Sequence, residues 1–114
     1  MQRELKFRAK TKKGEWFIGM PTYDFEYIFN DRQYDSVDNY EIVKDTVSQF
    51  TGLKDKNGIE IYEGDICRVG EYVGVVGFSY GCYDISGWAI SFRIEKTEVI
   101  GNIHDNPELL ESVS

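Results

Sequence analysis

Gln49-Phe50-Thr51-Gly52-Leu53-Lys54-Asp55-Lys56-Asn57-Gly58-Ile59-Glu60-Ile61-Tyr62-Glu63-Gly64-Asp65-Ile66 is the stretch whose reading decides the fold. Asp55-Lys56-Asn57-Gly58 ends in Asn-Gly, the strongest short hairpin signal, because both residues tolerate positive φ. Ile59 and Ile61 alternate with Glu60 and Tyr62, the pattern of a half-buried strand. Glu63-Gly64-Asp65 is a second tight reversal ahead of Ile66. The stretch therefore specifies strand, turn, strand, turn. It specifies backbone shape and carries no chemistry of its own.

Upstream, Arg3 to Lys10 alternates, with Leu5, Phe7 and Ala9 on one face and Lys6, Arg8 and Lys10 on the other. Thr11-Lys12-Lys13-Gly14 is a turn, and Glu15 to Met20 returns with Trp16, Ile18 and Met20 on one face. This is a β-hairpin with a basic outer face. Tyr23, Phe25, Tyr27 and Phe29 fall at period two and predict a strand. Asn30 to Asn39 is polar and reads as a mobile loop. Ile42, Val43, Thr46 and Val47 are β-branched, so Tyr40 to Phe50 also reads as strand.

Downstream the chain is a series of short strands. They cover Cys67 to Val69, Tyr72 to Phe78, Cys82 to Ser86, and Glu98 to Ile103. Trp88, Ile90, Phe92 and Ile94 alternate with Ala89, Ser91, Arg93 and Glu95 and give the clearest period-two pattern of all. Asn106 as cap, Pro107 at the first helical position, and Leu109 and Leu110 predict a short terminal helix. The fold class is mainly β: a small antiparallel barrel or sandwich with an N-terminal hairpin and a short C-terminal helical turn. By analogy, Tyr62 to Phe78 has the look of an SH3-like barrel. The 114 residues suit one domain, with a possible subdivision near 48–50.

Charge is uneven. Residues 1–13 hold Arg3, Lys6, Arg8, Lys10, Lys12 and Lys13 against Glu4, a local +5 in a chain of net −7. Asp24, Glu26, Asp31, Asp35, Asp38, Glu41 and Asp45 crowd residues 24–45 against Arg32 and Lys44. Two partner surfaces follow. Arg3, Lys6, Arg8, Lys10, Lys12 and Lys13, with Phe7 and Trp16 nearby, could contact phosphates and stack bases. Asp24, Glu26, Asp31, Asp35 and Asp38, among tyrosines, could meet a basic protein surface. The basic edge of one copy could also meet the acidic surface of another. Solvated faces and lysine-protected edges explain the same pattern. The overall −7 ranks nucleic acid behind a homo-oligomer or another protein's basic surface.

Few residues offer catalysis. Cys67, Cys82 and His104 are the whole thiol-imidazole inventory, and a nucleophile would need them together with an orienting carboxylate. As scattered singles they do not form a zinc pattern. Asp31, Asp35 and Asp38 lack the glycine and closing Glu of a calcium loop. No phosphate-binding glycine motif occurs. The expectation is a non-enzyme with no metal and no cofactor. Two cysteines suit a reducing cytoplasm. No apolar run nears the roughly 20 residues that span a bilayer, and the N-terminus lacks a signal-peptide core, so no membrane role is expected.

Three blocks resemble the YopX family of phage and prophage proteins. They are Arg3-Glu4-Leu5-Lys6-Phe7-Arg8-Ala9; Gln49 through Gly58 running on to Ile61-Tyr62-Glu63-Gly64-Asp65-Ile66; and Glu98-Val99-Ile100-Gly101-Asn102-Ile103-His104-Asp105-Asn106-Pro107-Glu108-Leu109-Leu110. Lys10 departs from the aromatic the family often has there, and residues 21–45 and 70–95 carry no match. The resemblance implies a β-rich fold, a phage or prophage origin and a bacterial host cytoplasm. It implies no activity for any residue. The combined expectation is a non-catalytic binding or assembly module that self-associates through strand edges and aromatic residues.

Overall fold

The computed structural model describes residues 5–30, 37–79, 81–85 and 87–111. Its backbone contacts divide the chain into two units, Met1–Phe50 and Thr51–Ser114.

In the first unit, β1 (Phe7–Lys10) and β2 (Trp16–Pro21) form the expected hairpin, with Phe7 opposite Gly19 and Lys10 opposite Trp16. β3 (Ile28–Phe29) pairs with the end of β2, Met20 facing Phe29. On the other side of β1, Arg8 and Phe7 pair with Ser48 and Gln49 of β4 (Ser48–Lys54). Ala9, Ile28 and Ile42 are buried together, with Phe17, Tyr40 and Val47 packed against them. Gly19 sits where a β-carbon would overlap the Phe29 carbonyl, so the β2–β3 contact requires a residue without a side chain.

In the second unit, β4 continues and is followed by β5 (Glu60–Tyr62), the edge of the strand order β3-β2-β1-β4-β5. A second antiparallel sheet has the order β10-β6-β7-β8-β9. Its strands are β6 (Asp65–Val69), β7 (Tyr72–Ser79), β8 (Cys82–Ile85), β9 (Trp88–Ala89) and β10 (Thr97–Asn102). Among the described residues neither sheet closes into a barrel. Ile61, Cys67, Val69, Val76, Tyr83, Ile85 and Ile90 make this unit's core. The short helix α1 (Glu108–Glu111) follows Pro107, and the Asn106 carbonyl accepts the Leu109 N–H. Among the described residues no helix is long and apolar enough to cross a membrane.

The mainly β architecture, the hairpin and the terminal helix stand as read; four local readings do not. Trp88 to Ile94 is strand only at Trp88–Ala89, and 3-10 turns follow at Ile90–Phe92 and Ile94–Lys96. Ile90 and Ile94 are four apart, a spacing shared by one face of a strand and one side of a helical turn. Tyr23 to Tyr27 is a turn whose Phe25 has φ 59°, and only Ile28–Phe29 is strand. Between Tyr40 and Phe50 lies a 3-10 turn at Lys44–Thr46, and extended pairing begins at Ser48. The Thr46 hydroxyl donates to the Val43 carbonyl at 2.6 Å and accepts the Lys10 N–H at 2.8 Å, which outweighs the β-preference of its neighbours. In the Asn57-Gly58 turn only Gly58 has positive φ, 83°. Ile59 is thereby left exposed while Ile61 and Tyr62 are both buried.

The 55–59 turn is built around Asp55, only 6% exposed. One carboxylate oxygen accepts the N–H groups of Asn57 at 2.8 Å and Ile59 at 2.9 Å. The other accepts the Val99 N–H of β10 at 2.9 Å. Burial alone would raise this carboxyl's pKa, but the N–H donors of Val99, Ile59 and Asn57 outweigh it and hold the group below the usual range. The folded form therefore favours the carboxylate. Its stabilisation is full above the unfolded pKa of about 4 and is lost as pH falls through the lower folded value. Asp55→Ala should cost about 2–4 kcal/mol in urea unfolding and flatten the acid limb of the stability–pH curve. Gly19→Ala should cost about 1–3 kcal/mol by forcing β3 from β2, read by the same unfolding assay.

Candidate binding surfaces

The basic residues of the hairpin share a face with apolar ones. Register partners lie on the same side of a sheet, so Arg8 is flanked by Ile18 and Ser48, and Lys10 by Trp16. The Lys6 ammonium stands 4.8 Å over the Phe50 ring and the Arg8 guanidinium 4.9 Å over the Trp16 ring. Ile18, Met20 and Phe29 on this face are exposed. At the hairpin turn, Lys12 Nζ meets Glu41 at 2.7 Å, and Lys13 bonds the Asn39 side chain. The hydrogen bond to Glu41, and then its charge, raise the Lys12 pKa. The backbone follows suit, with Lys12 N–H donating to the Glu41 carbonyl at 2.8 Å. Part of the charge asymmetry is thus satisfied within one chain. Arg3 lies outside the described residues.

Of the acidic set, Asp31 and Asp35 lie outside the described residues, and Asp38 sits in the 3-10 turn Val37–Tyr40. Asp24 and Glu26 stand on the turn between β2 and β3. That turn is closed by Thr22 N–H to the Tyr27 carbonyl and Phe25 N–H to the Thr22 carbonyl, each at 2.9 Å. Asp24 accepts the Thr22 hydroxyl at 2.7 Å and the Glu26 N–H at 3.1 Å. The Thr22 bond first, and then the Glu26 N–H, hold its carboxyl below the usual range. Tyr23 at the tip is fully exposed, 103%.

The second unit holds a cleft of about 240 Å³. Val69, Ile85 and Ile90 form an apolar floor, and Tyr72 and Trp88 stand at its sides. The Thr97 hydroxyl, also at the cleft, is occupied by the Arg93 carbonyl at 2.8 Å. Arg93 supplies the lining's one charged group, its guanidinium 5.1 Å over the Trp88 ring. Tyr72 is 73% and Trp88 65% exposed. The sequence reading missed this site because its residues are scattered over five strands and a 3-10 turn. The available signal was two large aromatics at strand ends beside glycines, Tyr72 after Gly70-Glu71 and Trp88 after Gly87, positions where burial is hard to achieve.

The thiol and imidazole candidates differ in exposure. Cys67 is buried in the core. Burial first, then the charges of Asp65 and Asp55, push its thiol up to about 12. His104 is exposed on the turn after β10. Cys82 is exposed and donates to the Ser79 carbonyl at 3.6 Å. Among the described residues no three His, Cys, Asp or Glu side chains gather as a metal site.

Two antiparallel sheets, open among the described residues, with large aromatics exposed on a turn and beside a cleft, define a small, mainly β protein. The YopX protein family model matches residues 6–111, and the chain belongs to the YopX family. The crystal structure of protein EF1440 from Enterococcus faecalis is similar, with 29% identity and a TM-score of 0.68 over 96% of this chain and 99% of that one. The curated proteins contain no match.

Iodoacetamide at neutral pH should label Cys82 in the native protein and leave Cys67 unlabelled until denaturant is added. Mass spectrometry of the two tryptic thiol peptides reads the order, and rapid native labelling of Cys67 would contradict its raised pKa.

Proposed function

We propose that this chain is a non-catalytic binding or assembly module that self-associates, encoded by a phage or prophage and acting in the cytoplasm of a bacterial host. The observation that carries the reading is the cleft bordered by Tyr72, Trp88 and Arg93. Tyr, Trp and Arg are the residue types that dominate interface hot spots, and here all three meet an apolar floor. Two aromatics more than half exposed cost solubility unless something covers them.

Nucleic-acid binding through the hairpin has less support. Lys6 and Arg8 lie over Phe50 and Trp16, and Lys12 is paired with Glu41. A basic host protein is the second reading, favoured by the exposed Tyr23 between Thr22 and Asp24. Catalysis has little to draw on, with Cys67 held as a neutral thiol.

Size-exclusion chromatography with light scattering, at low and at high salt, tests the reading. The expected result is a discrete oligomer that loosens as salt rises. A monomer in both conditions at high micromolar concentration overturns self-association.

A further inference from the structure

We infer that the cleft of the second unit takes the Tyr23–Glu26 turn of a second copy of this chain. The inference rests on the self-association reading and names its contact. The cleft is the receptor. Its volume of about 240 Å³ falls below the roughly 300–1,000 Å³ of sites for drug-sized ligands. It suits a single aromatic side chain. Val69, Ile85 and Ile90 give that side chain an apolar seat, and Tyr72 and Trp88 give it edges and faces to pack on. At the mouth stands Arg93. Among the described residues no carboxylate lies within ion-pair distance of it, unlike Lys12, Lys56 and Arg68, which meet Glu41 and Glu98.

The turn is the complementary half. Tyr23 projects fully into solvent, followed at once by Asp24 and, two residues later, by Glu26. An exposed aromatic beside two carboxylates matches an apolar cleft beside one guanidinium in both shape and sign. The turn is also held ready. The Thr22–Tyr27 and Phe25–Thr22 backbone bonds and the Thr22–Asp24 side-chain bond fix it before any contact. Docking therefore loses little conformational entropy. Charge complementarity favours this occupant over an arbitrary hydrophobic peptide. Because the two halves are different surfaces, each copy offers its turn to one neighbour and its cleft to another, a heterologous contact. A single turn in a single cleft buries little area, which sets the association in the weak class.

The test uses Tyr23→Ala and Trp88→Ala, each made in the full chain and checked by far-UV circular dichroism. Sedimentation equilibrium should show wild type associating and each variant at least about tenfold weaker. Mixing the two variants should restore association, because one still presents a cleft and the other still presents a turn. Arg93→Glu should weaken wild-type association, and Asp24→Lys with Glu26→Lys in the partner chain should recover it. Variants that associate as wild type does would overturn this contact and leave self-association standing. A mixture no stronger than the single variants would overturn it likewise. A wild type monomeric throughout would overturn the self-association reading, and this contact with it.

Discussion

The carboxylate of Asp55 is the constraint on which the second unit turns. It closes the 55–59 loop on one side and fastens the Val99 N–H of β10 on the other. The two partner segments are far apart in sequence, so a single buried charge joins local turn geometry to long-range assembly. Beside it, the Lys56 N–H donates to the Thr97 carbonyl at 3.0 Å, and Thr97 in turn fixes Arg93 through its hydroxyl. The line from turn to β10 to the mouth of the cleft is continuous. A buried carboxylate tolerates this role because backbone N–H groups replace its lost hydration. Asp65, 1% exposed, repeats the device on a smaller scale by accepting the Tyr62 N–H at 2.8 Å.

Most strands were legible from alternation and glycine punctuation, although Trp88 to Ile94, which shows both, is mainly 3-10 turn. Phe7 to Lys10, Asp65 to Val69, Tyr72 to Ser79 and Thr97 to Asn102 all sit where their residues place them. One misreading comes from spacing, since apolar residues four apart serve both a strand and a helical turn. At Ile90 and Ile94 nothing local separates the two, and the packing of Ile90 into the core decides. At Tyr23 to Tyr27 a side-chain hydroxyl, that of Thr22, organises the turn and overrides a perfect aromatic alternation. Hydrogen bonds of this kind are invisible to periodicity.

The surfaces were less legible than the fold. The basic and acidic segments could be counted, but only the folded structure shows that Arg8 stands over Trp16 and that the Lys12 turn clasps Glu41 within the chain. The cleft was not legible at all. Its lining is gathered from residues between Val69 and Thr97 by five strands and a 3-10 turn, and no local window contains it. Membership of the YopX family rests on a match over residues 6–111 that assigns no residue a role, which is why the contact surfaces are read from the structure.

The pairing of β6 with β10 has a consequence for the order in which the protein can be made. β6 lies between β7 and β10, and its partner residues run from Thr97 to Asn102. A ribosome delivers the first unit's core, whose last packing residue is Val47, tens of residues before it delivers Thr97. Until then one flank of β6, with the buried thiol of Cys67 on it, has no strand to meet. The nascent second unit is an open edge for that interval, and the first unit can be complete while the second is still waiting for its last strand.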